Sequence, residues 1–199
     1  VIEVYSVEHL HVLQAILDVS PLAPAKLAKL KHNQPHHPAT LYLENYSAFV
    51  AFIALEKPID AQTFSILAQQ RAKQIEQMMG DATAAVYCSN ILLQMAIVEA
   101  ISGNSVQSLR SVVKAMQLVK KIPDEAPFYQ EREKLSIVFD LFWAVVPDDY
   151  KWALNLWGIS VDWEQSIGRL DKYVTRYKSS VGLGDEAQII ESLVYLKAT

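Results

Sequence analysis

The feature that most constrains the fold is a long apolar segment, residues 82–102, which is followed at once by the turn residues Gly103 and Asn104. Apolar side chains recur through this segment at helical spacing on most sides, as expected for a helix that its neighbours cover. A second amphipathic helix follows, for which we predict Ser105 as the N-cap and an inward stripe of Val106, Leu109, Val113, Met116 and Val119. A glycine turn between two such helices predicts a helical hairpin.

The rest of the chain divides into further helical segments that are separated by short breakers. Ser6 and Asp60 are predicted to cap the first and fourth helices, and the third and fourth are predicted to turn Ile53 and Met78 inward. Later helices are predicted over residues 128–146, 150–157, 163–177 and 185–197. The helix over 163–177 is predicted to turn inward a stripe of Trp163, Ile167, Leu170, Val174 and Tyr177. No strand-like alternation bounded by hairpin turns occurs. We therefore predict an all-α fold of about nine to ten helices, arranged as antiparallel hairpins.

Size and charge exclude several classes of protein. The 199 residues fit a single domain, 1–199, and are 51% hydrophobic. The net charge of −4, with no basic run longer than a pair, argues against nucleic-acid binding. No run of about 18 uncharged apolar residues occurs, so we predict no transmembrane segment. The single cysteine, Cys88, is interpreted as a small buried hydrophobic residue.

The segment from Pro147 to Asp162 is predicted to be a joint between two helices. Pro147 ends the preceding apolar run, and Asp148 and Asp149 can cap a short helix that Gly158 closes. Asp162 can then cap the helix that follows. The segment would thus change the direction of the second helix of a hairpin.

No arrangement of residues points to a reaction or a metal. The histidines His32, His36 and His37 lie in a proline-containing connector without Asp, Glu or Cys at ligand spacing. Asp148 and Asp149 have no third carboxylate at helical spacing, and no nucleophilic serine motif occurs. We therefore predict no catalytic residue, no metal site and no cofactor. An enzyme on a helical frame is retained only as a third alternative.

Two stretches carry a resemblance to a known family. Around Gly103, Leu92, Met95 and Ala96, and then Ser108, Val112 and Ala115, occupy the packing positions of the 34-residue tetratricopeptide unit, without its Trp and Tyr. The order of the segments His37–Val50, LLQMAIVEAISGN and VVPDDYKWALNLWGISVDWEQSIGRL resembles a family of uncharacterised tetratricopeptide-like proteins from Bacteroidetes. The third segment is also distantly similar to the eukaryotic outer-mitochondrial-membrane tetratricopeptide group, although Val161 replaces a glycine of that pattern.

This resemblance implies a tetratricopeptide-like α-α superhelix in one domain, with N-terminal helices over 1–34 and a repeat core over 35–199. It implies no activity and carries over no catalytic residue. The bacterial members are often exported. Together with the absence of an initiator Met before Val1, this suggests a periplasmic or outer-membrane-associated protein.

The function predicted from the sequence is a non-enzymatic module that binds a protein or peptide partner. Aromatic residues are concentrated around the joint, namely Phe139, Phe142, Trp143, Tyr150, Trp152, Trp157 and Trp163. Most are expected in the core, with Trp143 and Trp157 as the exposed members of a binding groove. Tyr42 and Tyr46 are further candidates for its concave side. The alternative is a carrier of a small molecule or lipid, in which the aromatic cluster encloses an apolar cavity.

Overall fold

The computed structural model describes residues 5–54, 60–125, 128–144 and 163–177, and within them every regular element is a helix. The helices are α1 (Val7–Leu17), α2 (Ala23–Asn33), α3 (Pro38–Ala54), α4 (Ala61–Met78), α5 (Asp81–Ile101), α6 (Ser105–Val119), α7 (Tyr129–Ala144) and α8 (Trp163–Tyr177). The all-α prediction is confirmed. The described residues hold eight helices rather than nine to ten, and the helices predicted over 150–157 and 185–197 lie outside them.

The chain divides into two compact units, Val1–Arg132 and Glu133–Thr199. In the first unit each helix packs on the next, and the odd-numbered helices also pack on one another, α1 on α3 and α3 on α5. No comparable contact joins α2 to α4 or α4 to α6 in the described part of this unit. The odd-numbered helices therefore form a continuous layer, on which the even-numbered helices lie apart from each other.

The predicted starts of α1 and α4 are confirmed. The Ser6 hydroxyl accepts a hydrogen bond from the His9 amide at 3.4 Å, and the His9 ring accepts one from the Ser6 amide, which makes a capping box. The Asp60 carboxylate accepts hydrogen bonds from two amides in the first turn of α4. At α6 the prediction was wrong, because Asn104 is the N-cap and Ser105 is the first helical residue.

The α5–α6 turn has the geometry that the glycine predicted. Gly103 has a φ of +81°, in the left-handed region. Its amide donates to the carbonyl of Ala100 at 3.1 Å, and the amide of Asn104 donates to the carbonyl of Glu99 at 2.8 Å. These two bonds form a Schellman motif, which satisfies carbonyls at the end of α5 and reverses the chain into α6.

Helix α5 is the central helix of the first unit, and it packs on α3, α4 and α6. It is the one described helix that is long and apolar enough to cross a membrane, over Ala82–Ile101 with a mean hydropathy of 1.6. The segment includes Asn90, Gln94 and Glu99, so it is not a run of about 18 uncharged apolar residues, and the expectation of no transmembrane segment stays a prediction. In addition, 78% of the segment is buried inside the protein, as it is for the core helix of a compact fold.

Helix α6 packs through a different face from the one that its apolar stripe predicted. Its buried residues are Ser108, Ser111, Val112 and Ala115, whereas Val106 is 61% exposed. Small side chains allow the backbones of α5 and α6 to approach closely. The face of α6 that carries small side chains is therefore buried, rather than the face that carries the large apolar ones. Ile53 and Met78, in the last turns of α3 and α4, are also exposed, because periodicity alone does not show where a neighbouring helix ends.

The second unit contains an apolar cluster contributed by α7 and α8. It consists of Ile137, Leu141, Leu170, Tyr173 and Val174, with Ile167 and Tyr177 packed against it. Arg169 pairs with Asp140 and donates to Ser136 at 3.0 Å, and Arg176 pairs with Glu133 at 2.9 Å. The predicted inward stripe of α8 is thus confirmed from Ile167 to Tyr177, whereas the joint from Pro147 to Asp162 lies outside the described residues.

Candidate functional site

Three of the four binding residues predicted from the sequence are buried. Tyr42 is 0% exposed and Tyr46 is 8% exposed, and their rings stack at 5.7 Å between centroids. Trp143 is 1% exposed, so its assignment as an exposed aromatic residue was wrong. Trp157 lies outside the described residues. The structure brings Tyr42 and Tyr46 together on α3, in a cluster that also contains Tyr5 and Tyr87.

A histidine pair joins α1 to the start of α3. The ring centroids of His9 and His37 lie 4.4 Å apart with the rings tilted by 34°, and His9 forms hydrogen bonds with the hydroxyls of Ser6 at 2.6 Å and Thr40 at 3.2 Å. Burial lowers the pKa of His9 to about 4, with a smaller contribution from His37. Burial also lowers the pKa of His37. The contacts of His9 with Ser6, Thr40 and His37 give the pair a structural role in joining α1 to α3. In the described part of the chain, no three His, Cys, Asp or Glu side chains are placed to hold a metal ion.

Two grooves open between the even-numbered helices, and an odd-numbered helix contributes to each. The α2–α4 groove has a volume of about 500 Å³ and is lined by Lys31, Pro35, His36, Leu41, Glu44, Leu67, Gln70, Arg71, Gln74, Gln77 and Met78. The α4–α6 groove has a volume of about 510 Å³ and is lined by Ala61, Gln62, Ser65, Ile66, Gln69, Met95, Glu99, Asn104, Gln107, Arg110, Ser111 and Lys114. Both exist because the helices that form their walls do not pack on each other.

The carboxylate of the α2–α4 groove is neutralised by cations of the chain itself. Glu44 pairs with Lys31 at 2.8 Å and with Arg71 at 3.4 Å. Burial acts to raise the pKa of Glu44, but the hydrogen bonds and charges of Lys31 and Arg71 outweigh it and lower the pKa. Arg71 also donates to Asn45 at 3.2 Å, and Asn45 donates to Gln94 of α5 at 2.8 Å. Lys31, Glu44 and Arg71, the charged residues of this groove, are thus already engaged in contacts that join α2, α3, α4 and α5.

The α4–α6 groove contains a carboxylate that is held differently. Glu99 of α5 is 7% exposed. Its two oxygens accept hydrogen bonds from Ser65 of α4 at 3.2 Å and from Ser111 of α6 at 2.8 Å. In the described part of the chain no Lys, Arg or His forms an ion pair with Glu99. The groove therefore contains a carboxyl group that two neutral hydroxyls hold in place.

The walls of the α4–α6 groove carry mainly amide and cationic groups. Three glutamines contribute, Gln62 and Gln69 from α4 and Gln107 from α6, and Gln69 lies 3.9 Å from the sulfur of Met95. Arg110 and Lys114 contribute positive charge from α6, and Ile66, 49% exposed, contributes apolar surface from α4. Side-chain amides both donate and accept hydrogen bonds, so these walls can bond to the peptide groups of an extended chain.

The residues of this groove were not recognised from the sequence, although one signal was present. Gln94 and Glu99 are polar residues in the long apolar helix α5, and both are buried. Buried polar groups are almost always hydrogen-bonded, so Gln94 and Glu99 each indicate a hydrogen-bonding partner on a neighbouring helix. The partners themselves could not be identified, since Ser65 and Ser111 are 34 and 12 residues away from Glu99.

Comparison of the chain with protein-family models, with curated proteins and with solved structures gave no match.

Proposed function

We propose that the protein is a non-enzymatic interaction module with a tetratricopeptide-like arrangement of helices, which binds an extended segment of a partner protein in the α4–α6 groove. The observation that carries the proposal is the groove itself. It is about 510 Å³ in volume, open between two helices that do not pack on each other, and lined by amides and charges rather than by a catalytic set.

The packing of the first unit supports the repeat-like arrangement. The pairs α1–α2, α3–α4 and α5–α6 are in contact, and α1, α3 and α5 also pack in sequence. This is the pattern expected when helical hairpins stack with their first helices side by side. The α5–α6 hairpin adds local support, because Gly103 turns in the left-handed region and Met95, Ala96, Ser108, Val112 and Ala115 are buried at the repeat packing positions.

The chemistry of the groove supports a peptide ligand over an apolar one. The predicted lipid carrier would enclose an apolar cavity within the aromatic cluster around the joint, of which Tyr150, Trp152 and Trp157 lie outside the described residues. Both large grooves of the first unit are open and carry amide and charged side chains beside apolar surface. An extended peptide has unpaired backbone donors and acceptors along its length. The three glutamine amides can pair with these groups, while Ile66 offers an apolar contact for a side chain.

Two adjacent glutamines provide a matched test. Gln69 lines the α4–α6 groove and Gln70 lines the α2–α4 groove, and both are exposed on the same helix. Linear peptides are first selected on the wild-type protein from a phage-displayed random library. Their affinities are then measured by fluorescence anisotropy for the wild type, Gln69→Trp and Gln70→Trp, with circular dichroism to check the fold of each variant.

We expect Gln69→Trp to weaken the selected peptides at least tenfold, about 1.4 kcal/mol, because the indole fills the groove. Gln70→Trp should bind them as the wild type does. The proposal fails if no peptide is selected, or if the two variants bind the selected peptides equally well.

A further inference from the structure

Glu99 is a buried carboxylate whose described surroundings offer no paired cation and few hydrogen bonds. An ionised carboxylate removed from water is costly unless a cation or several hydrogen bonds replace its hydration. Glu99 has one serine hydroxyl for each oxygen and no counter-cation among the described residues. It also lies in the last turn of α5, which ends at Ile101, and the C-terminal end of a helix dipole disfavours an anion.

The α2–α4 groove shows how the same fold neutralises a carboxylate when it serves structure alone. Glu44 is paired there with Lys31 and Arg71. The α4–α6 groove has two cations available, Arg110 and Lys114, yet neither forms an ion pair with Glu99 in the described structure. The negative charge of Glu99 thus stays available to a ligand that enters the groove.

We infer that Glu99 is the receptor for a basic side chain of the bound peptide, either a lysine ammonium or an arginine guanidinium. This inference rests on the proposed function and adds the chemical class of the ligand. Each carboxylate oxygen accepts one hydroxyl and keeps acceptor capacity for a further donor. Ser65 and Ser111 hold the carboxylate from the two walls, which fixes its position before the ligand arrives.

The charges on the α6 wall define the rest of the ligand. Arg110 and Lys114 repel a polybasic peptide and attract a carboxylate. The segment that fits the groove therefore has one basic residue that reaches Glu99, next to an acidic residue that faces α6. Such a pattern of opposite charges gives specificity, because a peptide of uniform charge meets repulsion at one of the two positions.

The test is a double-mutant cycle with the selected peptides. The basic residue that they share is replaced by its uncharged analogue, norleucine for lysine or citrulline for arginine. Each peptide is measured on the wild type and on Glu99→Gln, which keeps the shape and an acceptor for the serines. Glu76→Gln, at an exposed position of α4, is the matched control for loss of one negative charge.

We expect either single change to weaken binding at least tenfold, about 1.4 kcal/mol, and the two together to weaken it by little more than one alone. Glu76→Gln should bind as the wild type does. The inference would be overturned if the selected peptides share no basic residue. It would also be overturned if the losses of binding free energy from the two single changes add fully in the double change. Either result leaves the proposed function in place. Failure to select any peptide would overturn both.

A second measurement covers the case in which Glu99→Gln does not fold. The side-chain carboxyl carbon resonance of Glu99 in the wild type is followed by nuclear magnetic resonance while each peptide is added. A shift with the basic peptide and none with its uncharged analogue supports contact with Glu99. Equal shifts with the two peptides, or none with either, contradict it.

Discussion

The buried histidine of α1 makes stability depend on pH in a direction that the structure specifies. His9 is 0% exposed and its pKa is lowered from 6.5 to about 4. The fold therefore holds the neutral imidazole, whereas the unfolded chain takes up a proton near pH 6.5. The contribution of His9 to stability is complete above pH 6.5 and is lost as the pH falls toward 4. Since one pH unit between the two pKa values is worth about 1.4 kcal/mol, the loss is about 2 kcal/mol at pH 5 and about 3 kcal/mol at pH 4.

The change that isolates this effect is His9→Gln, which retains a polar side chain but cannot titrate. Free energies of unfolding are measured by urea titration, followed by circular dichroism, at intervals from pH 7.5 to pH 4. Replacing the side chain also changes the free energy of unfolding at pH 7.5, so the decisive quantity is how the difference between the two curves changes with pH. We expect the wild type to lose about 2 kcal/mol more than the variant between pH 7.5 and pH 5.

The control is His11→Gln, because His11 is exposed on another face of the same helix. Its curve should run parallel to that of the wild type. His37, whose pKa burial also lowers, is present in all three proteins and so contributes little to their differences. Parallel curves for the wild type and His9→Gln would refute the argument, since they would show that His9 titrates alike in the folded and unfolded chains.

Four further predictions concern other parts of the first unit and α8. Asn45→Leu should lower the free energy of unfolding by about 2 kcal/mol in urea titration, because the buried groups that Asn45 bonds to lose a partner. Gly103→Ala should lower it by about 1 kcal/mol, because the φ of +81° disfavours alanine although no atom lies within 4 Å of the added Cβ. Gly168→Ala, inside α8 and equally free of contacts, should raise it by about 1 kcal/mol. Cys88, which is buried and whose pKa burial raises to about 12, with a smaller contribution from Glu76, should react with a disulfide reagent at pH 8 only after unfolding.

Each of these has a contrary outcome that is easy to recognise. An Asn45→Leu protein as stable as the wild type would mean that the polar contacts of Asn45 contribute no more than an apolar side chain does. Equal effects of the two glycine substitutions would contradict the assignment of backbone strain to Gly103. Rapid labelling of Cys88 in the folded protein would contradict its burial.

The sequence predicted best what depends on neighbours along the chain. Caps at Ser6 and Asp60, the glycine turn at Gly103 and the stripe of α8 all follow from residues a few positions apart, and the structure confirms them. The central position of α5 was also predicted, because a helix that is apolar on most sides must be covered.

The parts that could not be predicted depend on contacts between distant segments. The apolar stripe of α6 did not predict its buried face, although the alignment with the tetratricopeptide unit had placed Ser108, Val112 and Ala115 at packing positions, and these residues are buried. Trp143 was expected at the surface because it belongs to a concentration of aromatic residues, but composition does not show which members the fold covers. The α4–α6 groove requires three helices to meet around Glu99, and no local pattern encodes that meeting.

The chain of polar contacts from Lys31 through Glu44, Arg71 and Asn45 to Gln94 also affects how helices are aligned along their lengths. Ala68 and Ala72 are one helical turn apart on the inner face of α4 and are both buried, so these two contacts alone would barely oppose a slide of α4 by one turn. Such a slide displaces the guanidinium of Arg71 by about 5.4 Å, which is beyond the reach of a hydrogen bond to Asn45. The polar contacts thus reinforce the axial alignment that Phe64 and Ile75, the large buried side chains of α4, also favour.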